Sequence, residues 1–409
     1  MKAASTLPAG LPAPDADARA HQQAVEQYLS QRIAAADGGF LPFEQWMDHA
    51  LYAPGLGYYA AGNTKFGATL PTGDFTTAPE LTPLFAQTLA NQVAQVLRAS
   101  DSCTVLEFGA GSGAMAEAMI PALREHGLQP EYQILEVSAD LRHRQQERLS
   151  PFGDAVQWLT ALPTAFSGCV LANEVLDAMP VTLFCWDGQG ELQELGVRMT
   201  QAAAAGAPFE LAQRAAPASL RQILAQRMPP LPGYQSEVNL RAEAWVRQMG
   251  DWLKRGAALL IDYGFPQREY YHPQRTEGTL MCHFRHHAHA QPLIYAGLQD
   301  ITTHVDFTAM ADAALEGGLD VMGYTSQARF LMSAGLPQLL SSMSRPQAHE
   351  EKAADSATLA SQAQTQTLSA VQKLLSEAEM GELFKVLAIG RGIDPPLMGF
   401  IGGDRRDRL

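Results

Sequence analysis

The sequence has few cysteines and no long apolar run. Its 409 residues include four cysteines, which are scattered along the chain and form no C-x-x-C pair. We therefore expect no disulfide framework, and we expect the protein to reside in a reducing compartment. No apolar stretch approaches the roughly 20 residues that a helix needs to cross a bilayer. These absences favour a cytoplasmic protein that does not insert into a membrane.

Positive charge is also scarce. The 29 Lys and Arg residues are outnumbered by 43 Asp and Glu, which gives a formal net charge of −14. Such a chain is not expected to bind the phosphates of a nucleic acid non-specifically, and a basic protein or peptide is favoured as its partner. Residues 1–20 lack the apolar core of a signal peptide and are poor in arginine, so we predict a disordered tail there. The oligomeric state stays open.

The chain is organised around one stretch, Cys103–Ala114. It reads as a buried strand, a turn with Gly109, Gly111 and Gly113, and the start of a helix. Glycine lets the backbone turn sharply and a ligand come close, and the amides of the following helix point at that ligand. The pattern predicts a nucleotide-type cofactor site, although the same spacing also fits the dinucleotide fingerprint.

Two acidic residues favour S-adenosylmethionine over a dinucleotide. Glu107 lies two residues before the first glycine, where its carboxylate can accept the ammonium of a methionine moiety; a pyrophosphate would gain nothing there. Glu136 ends the next predicted strand, where a carboxylate can hold ribose hydroxyls. We predict that the cofactor is S-adenosylmethionine, bound by Glu107, Gly109, Gly111, Gly113 and Glu136. A nicotinamide dehydrogenase is the alternative.

Polar residues follow the apolar run Gly168–Ala172, which predicts a strand buried on both faces. Methyl transfer by in-line displacement requires mainly that the acceptor be positioned. Glu174 and Asp177 can hold a guanidinium through paired charge-assisted hydrogen bonds and favour loss of its proton, while Asn173 orients it. The alternative is that Asn173 and Asp177 only cap the following turn.

A second candidate segment, Gly73-Asp74-Phe75, places an acid and an aromatic ring on a turn. It can fold over the cofactor as a lid, with Gly73 and Phe75 beside the cofactor and Asp74 meeting the cofactor or the substrate cation. The alternative is an ordinary turn before a helix that begins near Thr77.

Further acids and histidines lie toward the C-terminus. His304 and Asp306 alternate along a predicted strand, Asp300–Phe307, so they would face one side and either contact substrate or form a buried pair. Asp262 lies near the end of another predicted strand, Ala257–Gly264, and would likewise either contact substrate or be buried in the core. Cys282–His289 is rich in histidine, and a helix there would bring His283 and His287 onto one face. The composition favours a loop instead, and without a second ligand cluster we predict no metal site.

The remaining patterns set the architecture. Strands alternate with helices, which predicts a parallel sheet with right-handed crossovers. Val181–Trp186 and Leu192–Val197 predict a hairpin, and Thr200–Ser219 a loop with some helix. We expect these divisions: 1–20 tail, 21–98 N-terminal helical extension with lid, 99–180 cofactor-binding core, 181–236 inserted hairpin region, 237–264 core, 265–375 substrate lobe, and 376–409 last core strand and C-terminal tail.

Taken together, these segments resemble the MidA-type methyltransferases. The resemblance is carried by the glycine turn and by the segments 73–80, 172–181, 261–264 and 304–307, and it runs from about Phe43 to Phe400 in motif order. The family includes the mitochondrial complex I assembly factor that methylates an arginine on a core subunit. Ala78 departs from the serine expected in the proline-glutamate motif.

The resemblance implies an α/β class I methyltransferase (Rossmann-like) fold, with a seven-stranded, mostly parallel sheet, an N-terminal extension and an inserted substrate lobe. It also implies protein arginine N-methylation with S-adenosylmethionine in respiratory complex assembly, with a protein, such as a complex I subunit, as the acceptor. Asp74, Asn173, Glu174 and Asp177 would be catalytic, and Asp262, His304 and Asp306 would bind substrate. A small-molecule methyltransferase and a non-catalytic, cofactor-binding assembly factor are the alternatives.

Overall fold

The computed structural model describes residues 8, 10–61, 77–200, 208–343, 354–394 and 396–409. The helices are α1 (Ala16–Ala35), α2 (Phe43–Tyr52), α3 (Ala78–Leu81), α4 (Pro83–Ser100), α5 (Ala114–Glu125), α6 (Ala139–Leu149), α7 (Ala218–Arg227), α8 (Leu240–Trp252), α9 (Gln267–Tyr270), α10 (Phe307–Glu316), α11 (Gln327–Ser333), α12 (Leu336–Met343) and α13 (Ala354–Leu375). Within these ranges, no helix is both long and apolar enough to span a bilayer.

The strands are β1 (Leu41–Pro42), β2 (Thr104–Phe108), β3 (Glu131–Leu135), β4 (Val156–Leu159), β5 (Phe166–Asn173), β6 (Thr182–Trp186), β7 (Leu192–Met199), β8 (Phe209–Ala215), β9 (Gln235–Val238), β10 (Leu253–Phe265), β11 (Met281–Phe284), β12 (His287–His289), β13 (Asp300–Thr302), β14 (Val305–Asp306), β15 (Asp320–Ser326) and β16 (Phe384–Arg391).

The central sheet confirms the predicted mostly parallel α/β fold. Its order is β4-β3-β2-β5-β10-β16-β15, and the short β14 runs beside the end of β10. Neighbouring strands are parallel except at β16, which is antiparallel to both β10 and β15. The strand order reverses between β2 and β5, because β3 and β4 lie on one side of β2 and the chain then returns to the other. A crevice for ligands is expected at the carboxyl ends of these two strands.

Helices cover both faces of this sheet, which is why its central strands are apolar throughout. The side chains of Cys169, Val170 and Leu171 in β5 are all buried. Helices α4 and α5 pack on one face, and α8 and α10 pack on the other. The sheet is therefore a rigid platform on which the loops at its carboxyl edge are held.

A second lobe has its own core and two antiparallel sheets. One contains β1 and β6–β9, and the other contains β11–β13. The helices α1 and α2 pack against them around buried residues such as Phe43 and Trp46. The predicted hairpin is confirmed, since β6 and β7 pair antiparallel. This lobe is joined to the sheet by the segment after β5, which leads directly into β6.

Four local predictions are corrected. The strand β8 lies where Thr200–Ser219 was expected to be a loop with some helix. It pairs with β7 at an edge, and its mostly exposed side chains give no apolar alternation. The histidine-rich segment, for which a loop was expected, forms antiparallel strands with Cys282 opposite His289. Helix α1 begins at Ala16, inside the predicted tail, because the carboxylate of Asp15 accepts a hydrogen bond from the Ala18 N–H at 2.9 Å.

The fourth correction concerns the single strand predicted over Asp300–Phe307. It is interrupted: β13 ends at Thr302 and pairs with β11, whereas β14 begins at Val305 and pairs with β10. The two short strands therefore belong to different sheets. This break changes the surroundings of His304 and Asp306.

Candidate active site

The glycine turn follows β2 at the point where the strand order reverses. Gly109, Gly111 and Gly113 have φ angles of 61°, 54° and 84°, in the left-handed region that favours glycine. A Cβ on Gly109 would lie 3.3 Å from the Val175 side chain, whereas one on Gly111 would meet nothing within 4 Å. The turn thus presents bare backbone to open space, and α5 begins immediately after it. This is the cradle that a nucleotide-type cofactor needs.

Glu136 lies beside this cradle and is tied to it. Its Oε1 accepts the Ser138 N–H at 2.9 Å, and its Oε2 accepts the Gln145 Nε2–H at 2.9 Å. The same Gln145 amide donates to the Gly111 carbonyl at 2.9 Å. Burial raises the pKa of Glu136. Sequence reasoning missed Gln145, because it lies in the middle of α6 and belongs to no motif. Its position nine residues after Glu136, in the helix that follows, is the signal that could have found it.

Glu107 lies deeper than Glu136. Its carboxylate is buried in β2 and accepts a hydrogen bond from the Tyr132 hydroxyl at 2.8 Å. Burial raises the pKa of Glu107 to about 8. Contact between Glu107 and a cofactor ammonium stays a prediction. Next to Glu136, the apolar side chain of Val137 is 75% exposed, and sequence reasoning did not single it out.

The predicted acceptor residues gather in one turn after β5. Glu174 has a φ of 53°, a conformation strained for a residue with a side chain, and its N–H donates to the Ile261 carbonyl at 2.9 Å. The Asn173 Nδ2–H donates to Glu174 Oε1 at 3.0 Å. Asp177 is 2% exposed, and its Oδ2 accepts the Tyr263 hydroxyl at 2.5 Å. Strain of this kind is common where a turn must present side chains to a ligand.

Asp262, near the end of β10, accepts hydrogen bonds from the backbone of this turn. It is 0% exposed, and its Oδ2 accepts the N–H groups of Leu176 and Asp177 at 3.0 and 3.2 Å. Its Oδ1 accepts the Tyr263 N–H at 2.9 Å. The structure therefore places Asp262 as a positioning residue beneath the turn, with its oxygens engaged by backbone. Direct contact with substrate stays a prediction.

The second lobe adds residues to the same pocket. The Tyr52 hydroxyl donates to the Ala178 carbonyl at 2.9 Å, and the Tyr59 hydroxyl donates to Asp300 Oδ1 at 2.8 Å. The rings of Tyr52 and Tyr59 stack with centroids 5.5 Å apart. The charge of Asp300 is close enough to contribute to the raised pKa of Glu174. We define the acidic pocket as Asn173, Glu174, Asp177 and Asp300 with these two tyrosines.

The acidic pocket is short of hydrogen-bond donors. Burial, followed by the charge of Asp177, raises the pKa of Glu174 to about 8, and burial raises the pKa of Asp177 to about 6. Two buried oxygens, Asn173 Oδ1 and Asp177 Oδ1, have no hydrogen-bond partner in the described part of the chain. Unpaired buried acceptors are costly. The pocket is thus complementary to a ligand that carries several N–H donors and a positive charge.

His304 and Asp306 do not face one side, which corrects the prediction drawn from a continuous strand. The His304 ring stacks on Phe265 with centroids 5.2 Å apart and meets the Tyr263 ring edge-on at 5.1 Å. Asp306 caps α10 by accepting the Thr308 and Ala309 N–H groups at 3.1 and 3.2 Å. Their contacts with substrate stay predictions.

Gly73, Asp74 and Phe75 lie outside the described residues. Across the ranges that are described, no group of three or more His, Cys, Asp or Glu side chains is arranged to hold a metal ion.

Comparison with known proteins agrees with this geometry. Residues 88–325 match the family Methyltransf_28, described as "Putative S-adenosyl-L-methionine-dependent methyltransferase". A crystal structure of a COG1565 superfamily member from Burkholderia thailandensis, bound to S-adenosyl-homocysteine, is 47% identical, covers 98% of this chain and 100% of its own, and has a TM-score of 0.86. No curated protein matches this chain.

A native crystal structure of a COG1565 superfamily protein from the same organism is 45% identical over 98% of this chain and 100% of its own, with a TM-score of 0.85. The residues at the glycine turn fit a nucleoside that carries a methionine, since the turn offers bare backbone and Glu136 stands beside it. The cofactor is therefore S-adenosylmethionine, and the chain belongs to a family of S-adenosylmethionine-dependent methyltransferases.

Proposed function

We propose that this chain is a protein arginine N-methyltransferase of the MidA type, which acts on a subunit of a respiratory complex during assembly. The observation that carries the proposal is the acidic pocket. It combines three carboxyl groups from both lobes with two buried acceptor oxygens that lack donors. A guanidinium supplies five N–H donors in a fixed plane and a delocalised positive charge. It can therefore donate to the unpaired oxygens and balance the charge of the carboxylates.

Binding of the acceptor follows from the positions of these groups. Glu174 and Asp177 lie on one strained turn, which Asp262 fixes from below through backbone N–H groups. Carboxylates held in this way can accept paired hydrogen bonds from a guanidinium without a further loss of side-chain freedom. The stacked rings of Tyr52 and Tyr59 add a flat apolar wall and hold Asp300 in place. The turn and the cofactor cradle also touch, because Val175 packs beside Gly109.

The pocket also supplies a place for the proton that methylation releases. The bound cofactor supplies an electrophilic methyl group on a sulphonium. A protonated arginine that receives this methyl group must lose one proton to remain a singly charged methylguanidinium. In the unliganded pocket burial raises the pKa of Glu174 to about 8, so this carboxyl is mostly protonated at neutral pH. A bound cation would lower this pKa and leave Glu174 as a carboxylate that can accept the released proton, and departure of the product would restore the pKa.

The direct test is methyl transfer to a candidate acceptor. Respiratory complex I purified from cells that lack this chain would be incubated with the protein and S-adenosylmethionine labelled in its methyl group. We expect label in methylarginine on one subunit, and about 10- to 100-fold less label with the Asp177→Asn variant, which loses charge-assisted hydrogen bonds. Label found only in small molecules would support a small-molecule methyltransferase. Absence of any label, in a protein that still binds the cofactor, would support the non-catalytic assembly factor.

A further inference from the structure

A cluster of basic side chains surrounds the last aromatic residue of β10. Tyr263 and Phe265 alternate on this strand and so share a face. Around the Phe265 ring lie the Arg275 guanidinium carbon at 4.3 Å, the Lys385 Nζ at 5.8 Å and the stacked His304 ring at 5.2 Å from its centroid. We call Arg275, His304 and Lys385 the basic subsite.

These basic groups lack acidic partners. The buried Nε of Arg275 has no hydrogen-bond partner in the part of the chain that the structure describes. Lys385 is 4% exposed and donates only to the carbonyl oxygens of Glu382 and Leu383. The Glu382 carboxylate forms its ion pair with Arg405 instead. The buried Nδ1 of His304 also has no hydrogen-bond partner in the described ranges. Burial lowers the pKa of His304 to about 4, so its ring is neutral at pH 7 and contributes an N–H donor to the subsite but no charge.

Removing a charged group from water is costly unless an opposite charge or strong hydrogen bonds replace the water. The negative charges of Glu269 and Glu382 favour the charged form of Lys385, but neither carboxylate accepts a hydrogen bond from its ammonium group. Glu237, which feels the charge of Arg275, is occupied by the Tyr270 hydroxyl and by the N–H and hydroxyl of Thr279. The basic subsite therefore lacks one negative charge within hydrogen-bonding reach.

Tyr263 connects the basic subsite to the acidic pocket. Its hydroxyl donates to Asp177, and its ring meets His304 edge-on with centroids 5.1 Å apart. A cation site and an anion site thus lie at opposite ends of one tyrosine side chain. The cofactor cradle follows β2, which β5 separates from β10. An anion in the basic subsite would accordingly lie on the acceptor side of the crevice.

We propose that Arg275, His304 and Lys385 bind a carboxylate side chain of the acceptor protein, next to the cation that enters the acidic pocket. The proposal rests on the proposed function in one respect, that the acceptor is a polypeptide cation. Arg275 contributes a planar pair of N–H donors, and Lys385 a second positive charge. The acceptor is then selected by two opposite charges at a fixed spacing.

The test is a comparison of two peptide pools. Each peptide carries one central arginine among neutral residues, with one glutamate at a flanking position in the first pool and glutamine at that position in the second. Binding is measured by calorimetry with S-adenosyl-homocysteine present, so that turnover is not needed. We expect the glutamate pool to bind at least about tenfold more tightly than the glutamine pool, the ratio that a charge-assisted hydrogen bond supplies.

Variants assign this preference to the subsite. Arg275→Met should bind the two pools equally, and Arg275→Lys, which keeps the charge, should retain part of the preference. The matched control is Arg247→Met, which removes an exposed arginine paired with Glu316 on the outer helices; it should keep the full preference. Thermal unfolding verifies that each variant is folded. If Arg275→Met does not fold, the reduced glutamate preference of Arg275→Lys tests the subsite instead.

Each outcome decides between the two proposals. Equal binding of both pools by the unaltered protein, or an unchanged preference in Arg275→Met, overturns the basic subsite. Displacement by sodium acetate without any advantage for the glutamate pool assigns the site to a free anion and also overturns the proposal. Pools with norleucine in place of arginine test the other site: if they bind as tightly and keep the glutamate preference, the arginine proposal fails and the basic subsite stands.

Discussion

The two halves of the active site are built in opposite ways. The cofactor half comes from one continuous stretch, β2 to α6, and its acids Glu107 and Glu136 each have donors within the protein. The acceptor half is assembled from segments around residues 52–59, 173–178, 262–263 and 300, and it leaves buried oxygens unpaired. The described acids of the cofactor half are thus satisfied by the protein itself, whereas under the proposed function the unpaired oxygens of the acceptor half would be satisfied by the ligand.

The largest expected effect follows from removing the carboxylate that holds the acceptor half together. Asp262→Ala leaves three buried N–H groups without their acceptor, so we expect the free energy of unfolding to fall by about 3–5 kcal/mol. Methyl transfer should be lost, while the folded fraction keeps its cofactor affinity. Urea unfolding measures the loss of stability, and calorimetry measures the cofactor affinity of the folded protein. Asp262→Asn keeps an acceptor oxygen and should cost less; equal stability of Asp262→Ala and the unaltered protein would contradict the role given to Asp262.

Within the acceptor half, charge can be removed with little change in shape. Asp177→Asn and Glu174→Gln should each lower methyl transfer by about 10- to 100-fold, since each removes charge-assisted hydrogen bonds of about 1.5–3 kcal/mol. Cofactor affinity should not change. Glu316→Gln, an exposed acid on α10, is the matched control and should have no effect. If cofactor affinity fell in step with methyl transfer, the two halves would not be separable.

The converse experiment alters only the cofactor half. Glu136→Gln should weaken S-adenosylmethionine binding by about tenfold, because a carboxylate accepts hydrogen bonds from ribose hydroxyls more strongly than an amide does. We expect a higher KM for the cofactor and an unchanged kcat at saturation. Glu131→Gln, at the exposed start of the same strand, is the control. A lower kcat with the KM unchanged would place Glu136 outside the cofactor site.

The pH dependence of stability compares one acid from each half. Burial raises the pKa of Glu107 and of Glu174 from the usual 4.5 to about 8. The folded chain therefore retains protons that the unfolded chain releases, and the free energy of unfolding should fall as pH rises from about 5 to 9. Glu107→Gln and Glu174→Gln should each reduce this slope in urea unfolding. Saturating cofactor should remove the Glu107 contribution if Glu107 binds the ammonium, and an unchanged slope would argue against that contact.

The smallest effect is expected where the two lobes meet. Tyr52→Phe removes one hydrogen bond to the Ala178 carbonyl but keeps the ring that stacks on Tyr59. We expect a loss of about 1 kcal/mol in the free energy of unfolding. Methyl transfer should fall by no more than the accompanying loss of stability explains. A larger fall would give the hydroxyl of Tyr52 a direct part in holding the acceptor.

Prediction from sequence succeeded where the signal was local. The strand, the glycine turn and the helix predicted from Cys103–Ala114 are all found there, as β2, the turn and the start of α5. Gln145 and Asp300 were missed because nothing in their neighbourhood marks them; they become site residues only when distant strands meet. The strand β8 was missed because an exposed edge strand need not alternate. His304 and Asp306 were misassigned because pairing with two different sheets interrupts the expected period.

The position of β16 has a consequence for biosynthesis. This strand is made after every other strand of the central sheet, yet it lies between β10 and β15. While the nascent chain is still on the ribosome, β10 presents the open edge of an apolar strand, and β15 has no neighbour in the sheet. Open edges of this kind invite pairing with other chains. Premature release before residue 384 would therefore yield an aggregation-prone product, and molecular chaperones would have to shield both edges until the last strand inserts.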